Sequence, residues 1–514
     1  MQDFSDYRVA EQAVWDPRTP ASMLMLIAQY HPSLRAAVSH HPNADSVLLE
    51  MLSNSAIPPI GLSARDQAGS SVPSEPDPGE APSDQPPPKR RPTGLIISII
   101  VLVVALVVGT IIGVNLFGEP GTTPPESTTP IDTEPRTTEP TRPGSIGAEI
   151  YTFGGTDGDG FEGIALDSEG VVYAGGMVDS RDGDFAGFSG MFAGAWVVID
   201  TQGKSTVTQV DAYTPLATIK DGEFVATGLH TLAAVDRHGS ILWSYQGPTS
   251  EPLFMGAAVA PDGSVAAVSS NSDSDNIVVL LNADGTLRWS RNYGGYDVWA
   301  GLFYDVAFFK DGSLGVVGGS YGGGSHQGAD KDGALFVTIN PQGDITSVVN
   351  LAGDAQALYA ASASPDGTVV AVGNTPPSES SETRDGLAVK FTAGGDIQWM
   401  KAYGGLNADF FNNVAVDSGG RIFIAGSTMS LDGDFYERPV QGIQGGNDAV
   451  IVHLGSDGLL VWAQVWAGSG NEDLRSIAVN EGKVCAAGNT ISTDGAFTGT
   501  TGEQDALVIC VTQA

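Results

Sequence analysis

The chain has little cysteine, little positive charge and a single long apolar run, and each scarcity narrows what it can be. Two cysteines occur in 514 residues, Cys485 and Cys510, in no C-x-x-C or Cys/His spacing, so zinc and redox motifs have no support. Both fall on strands expected to be neighbours within one repeat. A cross-strand disulfide in an oxidising compartment and two buried free thiols are both open. Lys and Arg number 24 against 60 Asp and Glu, a formal net charge of −36. From residue 145 onward the count is 44 acidic to 15 basic, a net of −29. Nucleic acid and anionic lipid need Lys and Arg, so nucleic acid is not expected as a partner. The acidic excess suits solubility first, and divalent cations or basic partners second.

The one apolar run, Leu95 to Phe117, is 23 residues without a charge. At ~1.5 Å rise per residue it is long enough as a helix for a ~30 Å bilayer core. Lys89, Arg90 and Arg91 precede it and no basic cluster follows. The positive-inside bias then predicts a signal anchor: a single-pass membrane protein with a cytoplasmic N-terminus and an extracellular C-terminal region. Gly109 and Gly113 form a small-x-x-x-small pair that could support helix dimerisation. The run is flanked by two proline-rich stretches. Residues 57–94 are Pro/Ser-rich and read as a disordered linker. Residues 118–144 are Thr/Pro-rich and read as an extended stalk.

Residues 1–56 carry the pattern of a small helical domain. Thr19-Pro20 looks like an N-cap with a first-turn proline, and Met23, Leu24, Leu26 and Ile27 follow at helical spacing. A second short apolar set, Val47, Leu48, Leu49 and Leu52, follows Asp45. The wording Asp16-Pro-Arg-Thr-Pro20, Ala28-Gln-Tyr-His-Pro32-Ser-Leu-Arg-Ala-Ala-Val38 and His41-Pro42 through Leu48-Leu49 resembles the leucine-rich-repeat-variant helical domain at the N-termini of actinobacterial proteins. That resemblance implies a protein-interaction module of unknown partner, and the predicted topology would make that partner a cytoplasmic protein.

Residues 145–514 repeat one phrase seven times: small or apolar strand, Asp-Gly-type turn, apolar strand ending in Gly or Ser, loop, apolar strand, turn, and a strand that often carries Trp. The turns are Asp167-Ser-Glu-Gly170, Asp221-Gly222, Asp262-Gly263, Asp311-Gly312, Asp366-Gly367, Asp417-Ser-Gly-Gly420 and Asn480-Glu-Gly482. A period of roughly 40–60 residues with strand-type pattern predicts an all-β seven-bladed propeller. Each blade has four strands, a to d from the ring axis outward. The chain stops after strand c of the seventh repeat, while Ile146 to Gly155 has the form of an isolated strand d. Residues 146–155 are therefore expected to complete the last blade, since an open ring would leave unpaired edges. The phrase running from Gly404-Gly405 through Asp432-Gly-Asp-Phe435 to Trp462 resembles the bacterial SBBP-type beta-propeller repeat. The resemblance implies a secreted or surface propeller with no general catalytic residues.

The a–b and c–d turns are short and share one face, whereas the b–c and d–a loops vary in length and share the other. Variable loops on a rigid scaffold are where binding usually sits. There the chain places Asp182-Gly-Asp184-Phe185, Asp432-Gly-Asp434-Phe435 and Asp494-Gly-Ala-Phe497. The pairs Asp182/Asp184 and Asp432/Asp434 could ligate Ca²⁺, which takes six to eight oxygens. The third copy lacks its second Asp, which favours a structural role through side-chain-to-backbone hydrogen bonds. No other cofactor is indicated. Gly318-Gly-Ser320-Tyr-Gly322 matches G-x-S-x-G but lacks a strand–turn–helix context, and His326 has no second His near it in sequence. The Asp-Gly-x-x-x-Trp wording is similar to that of quinoprotein propellers, whose larger ring and cofactor contacts find no counterpart here. The expected function is thus non-enzymatic: a membrane-anchored surface propeller that binds an extracellular protein or glycan. A structural or adhesive envelope protein is the alternative, and a calcium-dependent or channel-sited enzyme stands third.

Overall fold

The computed structural model describes Val38 and residues 147–512, apart from 190–192, 211–213, 221, 228–230, 248–252, 271–275, 295–300, 322–331, 354, 377–382, 431, 436–444, 499 and 501–502. The chain divides into two compact units, Met1–Ile96 and Ile97–Ala514. In the first, Val38 is helical and fully buried. The helical domain, linker, apolar run, basic flank and stalk otherwise lie outside the described residues. The expected membrane localisation is corrected: among the described residues no helix is long and apolar enough to cross a membrane. A span needs about 20 apolar residues in helix, and the described chain of the second unit is built of strands of four to nine residues.

Those strands form seven antiparallel four-stranded sheets. Six blades follow chain order: 163–210, 214–246, 253–292, 301–350, 357–403 and 409–466. Blade 7 contains Glu472–Asn480, Lys483–Thr490 and Asp505–Thr512, and its outermost strand is Ala148–Phe153 from the start of the propeller. The expected closure is therefore present, with Ala148 opposite Val511 and Phe153 opposite Ala506. The inner strands touch in a closed circuit, each blade against the next and blade 7 against blade 1. The seven a–b turn glycines, Gly170, Gly222, Gly263, Gly312, Gly367, Gly420 and Gly482, have φ between 72° and 90°, which is why the phrase repeats Gly there.

The middle strands b and c are almost wholly buried, Val369–Asn374 and Gly386–Phe391 being two examples. They read as continuous apolar runs because each blade packs a sheet on both faces. Cys485 stands opposite Cys510 on strands b and c of blade 7, and the two are disulfide-bonded with a Cα–Cα distance of 4.1 Å.

One irregularity recurs. In blades 2 to 7 the inner strand carries a β-bulge, at Leu216, Met255, Tyr304, Tyr359, Asn412 and Arg475. In four of them the residue opposite is a glycine near the end of strand b. A Cβ on Gly318, Gly373, Gly426 or Gly488 would lie 1.8–2.1 Å from a carbonyl oxygen of the bulged strand. The repeated glycine is thus the complement of the bulge, a place where another backbone approaches closely.

Candidate functional site

The aspartates singled out from sequence are engaged with the backbone. In blade 1, Asp182 Oδ1 accepts the Thr156 N–H at 2.8 Å and Asp184 Oδ2 accepts the Gly154 N–H at 3.1 Å. In blade 6, Asp432 and Asp434 do the same with Leu406 and Gly404, at 2.8 and 3.1 Å. In blade 7, Asp494 takes the Ser469 N–H at 2.7 Å, and Ala496 keeps the backbone bond to Ala467 O. The phenylalanine of each copy, Phe185, Phe435 and Phe497, is buried. The middle glycine is required twice over: Gly183, Gly433 and Gly495 have φ of 55–64°. A Cβ there would also lie 2.1–2.2 Å from the opposing carbonyl. Each copy is a clamp that pins the d–a loop entering its blade and plugs the gap with a ring. Among the described residues no group of three or more His, Cys, Asp or Glu is arranged to hold a metal ion.

Sequence reasoning missed the third member of each clamp. Asp159 accepts N–H groups from Gly155, Asp179 and Ser180. Asp409 accepts from Gly405, Thr428 and Ser430, and Glu472 from Gly468, Thr490 and Ser492. The three carboxylates are buried. Burial raises all three pKa values against these hydrogen bonds, Asp409 to about 6. The signal was a spacing: Gly-x-x-x-Asp/Glu before strand a, answered by Ser-x-Asp after strand b.

The other expected motifs are accounted for by the fold. Ser320 is buried on strand b of blade 4, in a strand context and not at a nucleophile elbow. Gly322 and His326 lie outside the described residues.

The cavity with chemistry in it is the central channel, about 730 Å³, lined by the inner strands of blades 2 to 7 and by Glu162 of blade 1. Its wall is apolar and small along most of its length. The bulges set the chemistry where the inner strands begin, which is the face of the variable loops. Met255, Tyr304, Tyr359, Asn412 and Arg475 line the channel there, joined by Glu162 just before the inner strand of blade 1. Bulges re-aim side chains, and here the bulged residue of each of blades 3 to 7 lines the channel.

The ring has two unlike arcs. Across blades 3 to 5 it is apolar and aromatic, with the Tyr304 and Tyr359 rings 5.6 Å apart and inclined at 47°. Across blades 6, 7 and 1 it is polar. Arg475 pairs with Glu162 of the neighbouring blade and lies 3.4 Å from Asp473. Asn412 donates to Asp473 at 2.7 Å and to the Leu474 carbonyl at 3.0 Å. The Glu162 charge, with Asp473 behind it, raises the Arg475 pKa further. Asp305, beside the tyrosines, is spent on the wall itself. It accepts N–H groups from Val306 and from Ala361 of the next blade, and burial raises its pKa to about 7.

Residues 8–60 match the family model of the Leucine Rich Repeat Variant domain. That supports the expected N-terminal domain, without its actinobacterial source. No curated protein matches the chain. Among solved structures, a Bacteroides caccae protein of unknown function is similar at 15% identity and a TM-score of 0.36, over 53% of this chain and 89% of that one. The Pan2 WD40 domain of Neurospora crassa is similar at 9% identity and a TM-score of 0.40, over 69% and 90%. The seven-bladed propeller rests on the structure described above, and the matches do not carry the finer SBBP-type assignment.

Proposed function

We propose that the propeller is a non-catalytic binding scaffold whose ligand, a protein or a glycan, seats at the channel mouth on the variable-loop face. The observation that carries this reading is the ring of bulged residues. Bulges in five successive blades, 3 to 7, bring residues of unlike chemistry to one opening, while the opposite face keeps short, uniform turns. Tyrosine rings, an amide and an ion-paired arginine are groups suited to contact and orientation. The clamp aspartates are assigned to loop structure. The Leucine Rich Repeat Variant domain is proposed as a second, separate protein-interaction module.

The test is binding of the full-length chain to a glycan array and to a panel of purified proteins, with Tyr304→Ala and Tyr359→Ala alongside. Loss of the same ligand in both variants, at unchanged melting temperature, supports the channel mouth as the site. Binding that survives both substitutions moves the site elsewhere and overturns the reading.

A further inference from the structure

Resting on that reading, we infer that the channel mouth takes a neutral, hydroxyl-rich ligand: a saccharide unit seated between the tyrosine arc and the polar arc. Charge decides the first step. The positive group among the described lining residues, Arg475, is already held by Glu162 and Asp473, so a phosphate or carboxylate would have to displace two carboxylates in a domain of net charge −29. A cationic ligand meets the converse obstacle, because it would compete with Arg475 for those same carboxylates. Asp305 offers it little, with both oxygens occupied by backbone N–H groups.

A neutral ligand has neither conflict, and the wall suits one that is apolar on one side and polar around its edge. Tyr304 and Tyr359 present inclined rings against which the C–H face of a sugar can lie. Across the opening stand an amide and a carboxylate–guanidinium group, planar side chains that offer both donors and acceptors to hydroxyls.

The volume of about 730 Å³ lies within the ~300–1,000 Å³ of small-molecule sites.

The experiment titrates the full-length chain, by calorimetry, with glucose, galactose, mannose and N-acetylglucosamine. Inorganic phosphate and trilysine serve as charged probes. At least one sugar is expected to bind saturably, with phosphate and trilysine silent. Tyr359→Ala should weaken that sugar about tenfold or more, while Tyr359→Phe, which keeps the ring, stays within about threefold. Absence of any sugar binding overturns the inference, as does equal binding by Tyr359→Ala. If a charged probe binds instead and Tyr304→Ala removes it, the saccharide falls while the channel mouth stands. Silence from every probe, with the glycan array and protein panel also blank, counts against both.

Discussion

Blades 1 to 4 are joined to one another differently from blades 6, 7 and 1. At the 1–2, 2–3 and 3–4 junctions a tryptophan reaches across to the next blade's c–d turn, on the uniform face. Trp196, Trp243 and Trp289 each donate the indole N–H to a carbonyl there, of Arg237, Ala283 and Pro341. At the 6–7 and 7–1 junctions the Asp-Gly-x-Phe clamp does the joining from the variable-loop face. The 5–6 junction has both, with Trp399 bonded to Ser456 and the Asp432–Phe435 clamp above it. The 4–5 junction uses neither: Phe336 stacks on Phe391 at 3.9 Å, and Asp305 takes the Ala361 N–H.

The difference teaches that two devices solve one packing problem and leave different surfaces behind. A clamp needs a long b–c loop, and blades 1, 6 and 7 have 14, 19 and 14 residues there (179–192, 429–447, 491–504), against three in blade 2 (228–230). Clamps also cluster around the seam where the first and last strands of the propeller meet. A closure held by one strand pair benefits most from loops that pin the residues entering it. Gly154 and Thr156, just after the closing strand, are the amides that Asp184 and Asp182 bind.

The sharpest break of this contrast is removal of the seam itself. Deleting residues 148–153 strips the outer strand from blade 7 and exposes the edge of Asp505–Thr512. The melting temperature is expected to fall by roughly 10 °C or more, with aggregation on heating, followed by circular dichroism and light scattering. An unchanged transition would mean that the clamps hold the ring without the closing strand.

Next in size is the clamp ring. Phe435→Ala empties a buried site and is expected to cost about 3–5 kcal/mol in urea unfolding. Trp243→Phe keeps most of its packing but loses the bond to Ala283 O, at about 1 kcal/mol. Equal losses from the two substitutions would erase the distinction between the devices. The blade 7 disulfide ranks with the clamp ring. Its loop of 25 residues corresponds to roughly 3.5 kcal/mol by the chain-entropy estimate, read as a lowered urea midpoint for Cys485→Ser/Cys510→Ser.

How much of this was legible in the sequence follows from what repeats in it. Turn glycines, apolar middle strands and the orphan strand at 146–155 recur in kind, and they gave the blades and the closure. Asp182, Asp184, Asp432 and Asp434 were visible, and the third copy's missing Asp favoured loop structure over calcium, but sequence shows oxygen acceptors without the amides that use them. The channel ring left no signature of its own. Glu162, Met255, Tyr304, Tyr359, Asn412 and Arg475 share a position and no chemistry, so a search for recurring residues passes over them. Their trace was indirect, in the Gly373, Gly426 and Gly488 that the bulges demand opposite them. Leu95–Phe117 shows the reverse: a strong pattern in sequence whose localisation the described structure does not support.

The smallest effect, and the finest test of the clamps, is their response to pH. Asp409 has a folded pKa raised to about 6 by burial, so the folded state binds its proton more tightly than the unfolded chain. Its contribution is full below about pH 4 and is lost as pH rises toward 6. His453, on strand c of the same blade between Phe423 and Trp462, has the opposite sign. Burial lowers its pKa to about 4, so its contribution is present above about pH 6.5 and is lost as pH falls toward 4. The two slopes oppose each other across pH 4–6 and blunt the net response of blade 6. Substituting one at a time separates them. In urea unfolding, Asp409→Asn should leave a profile that gains stability more steeply from pH 4 to 6, and His453→Phe one that gains less or declines. Parallel profiles for both variants would show that neither group titrates with folding, and that the buried carboxylate acts in the clamp only as a fixed hydrogen-bond acceptor.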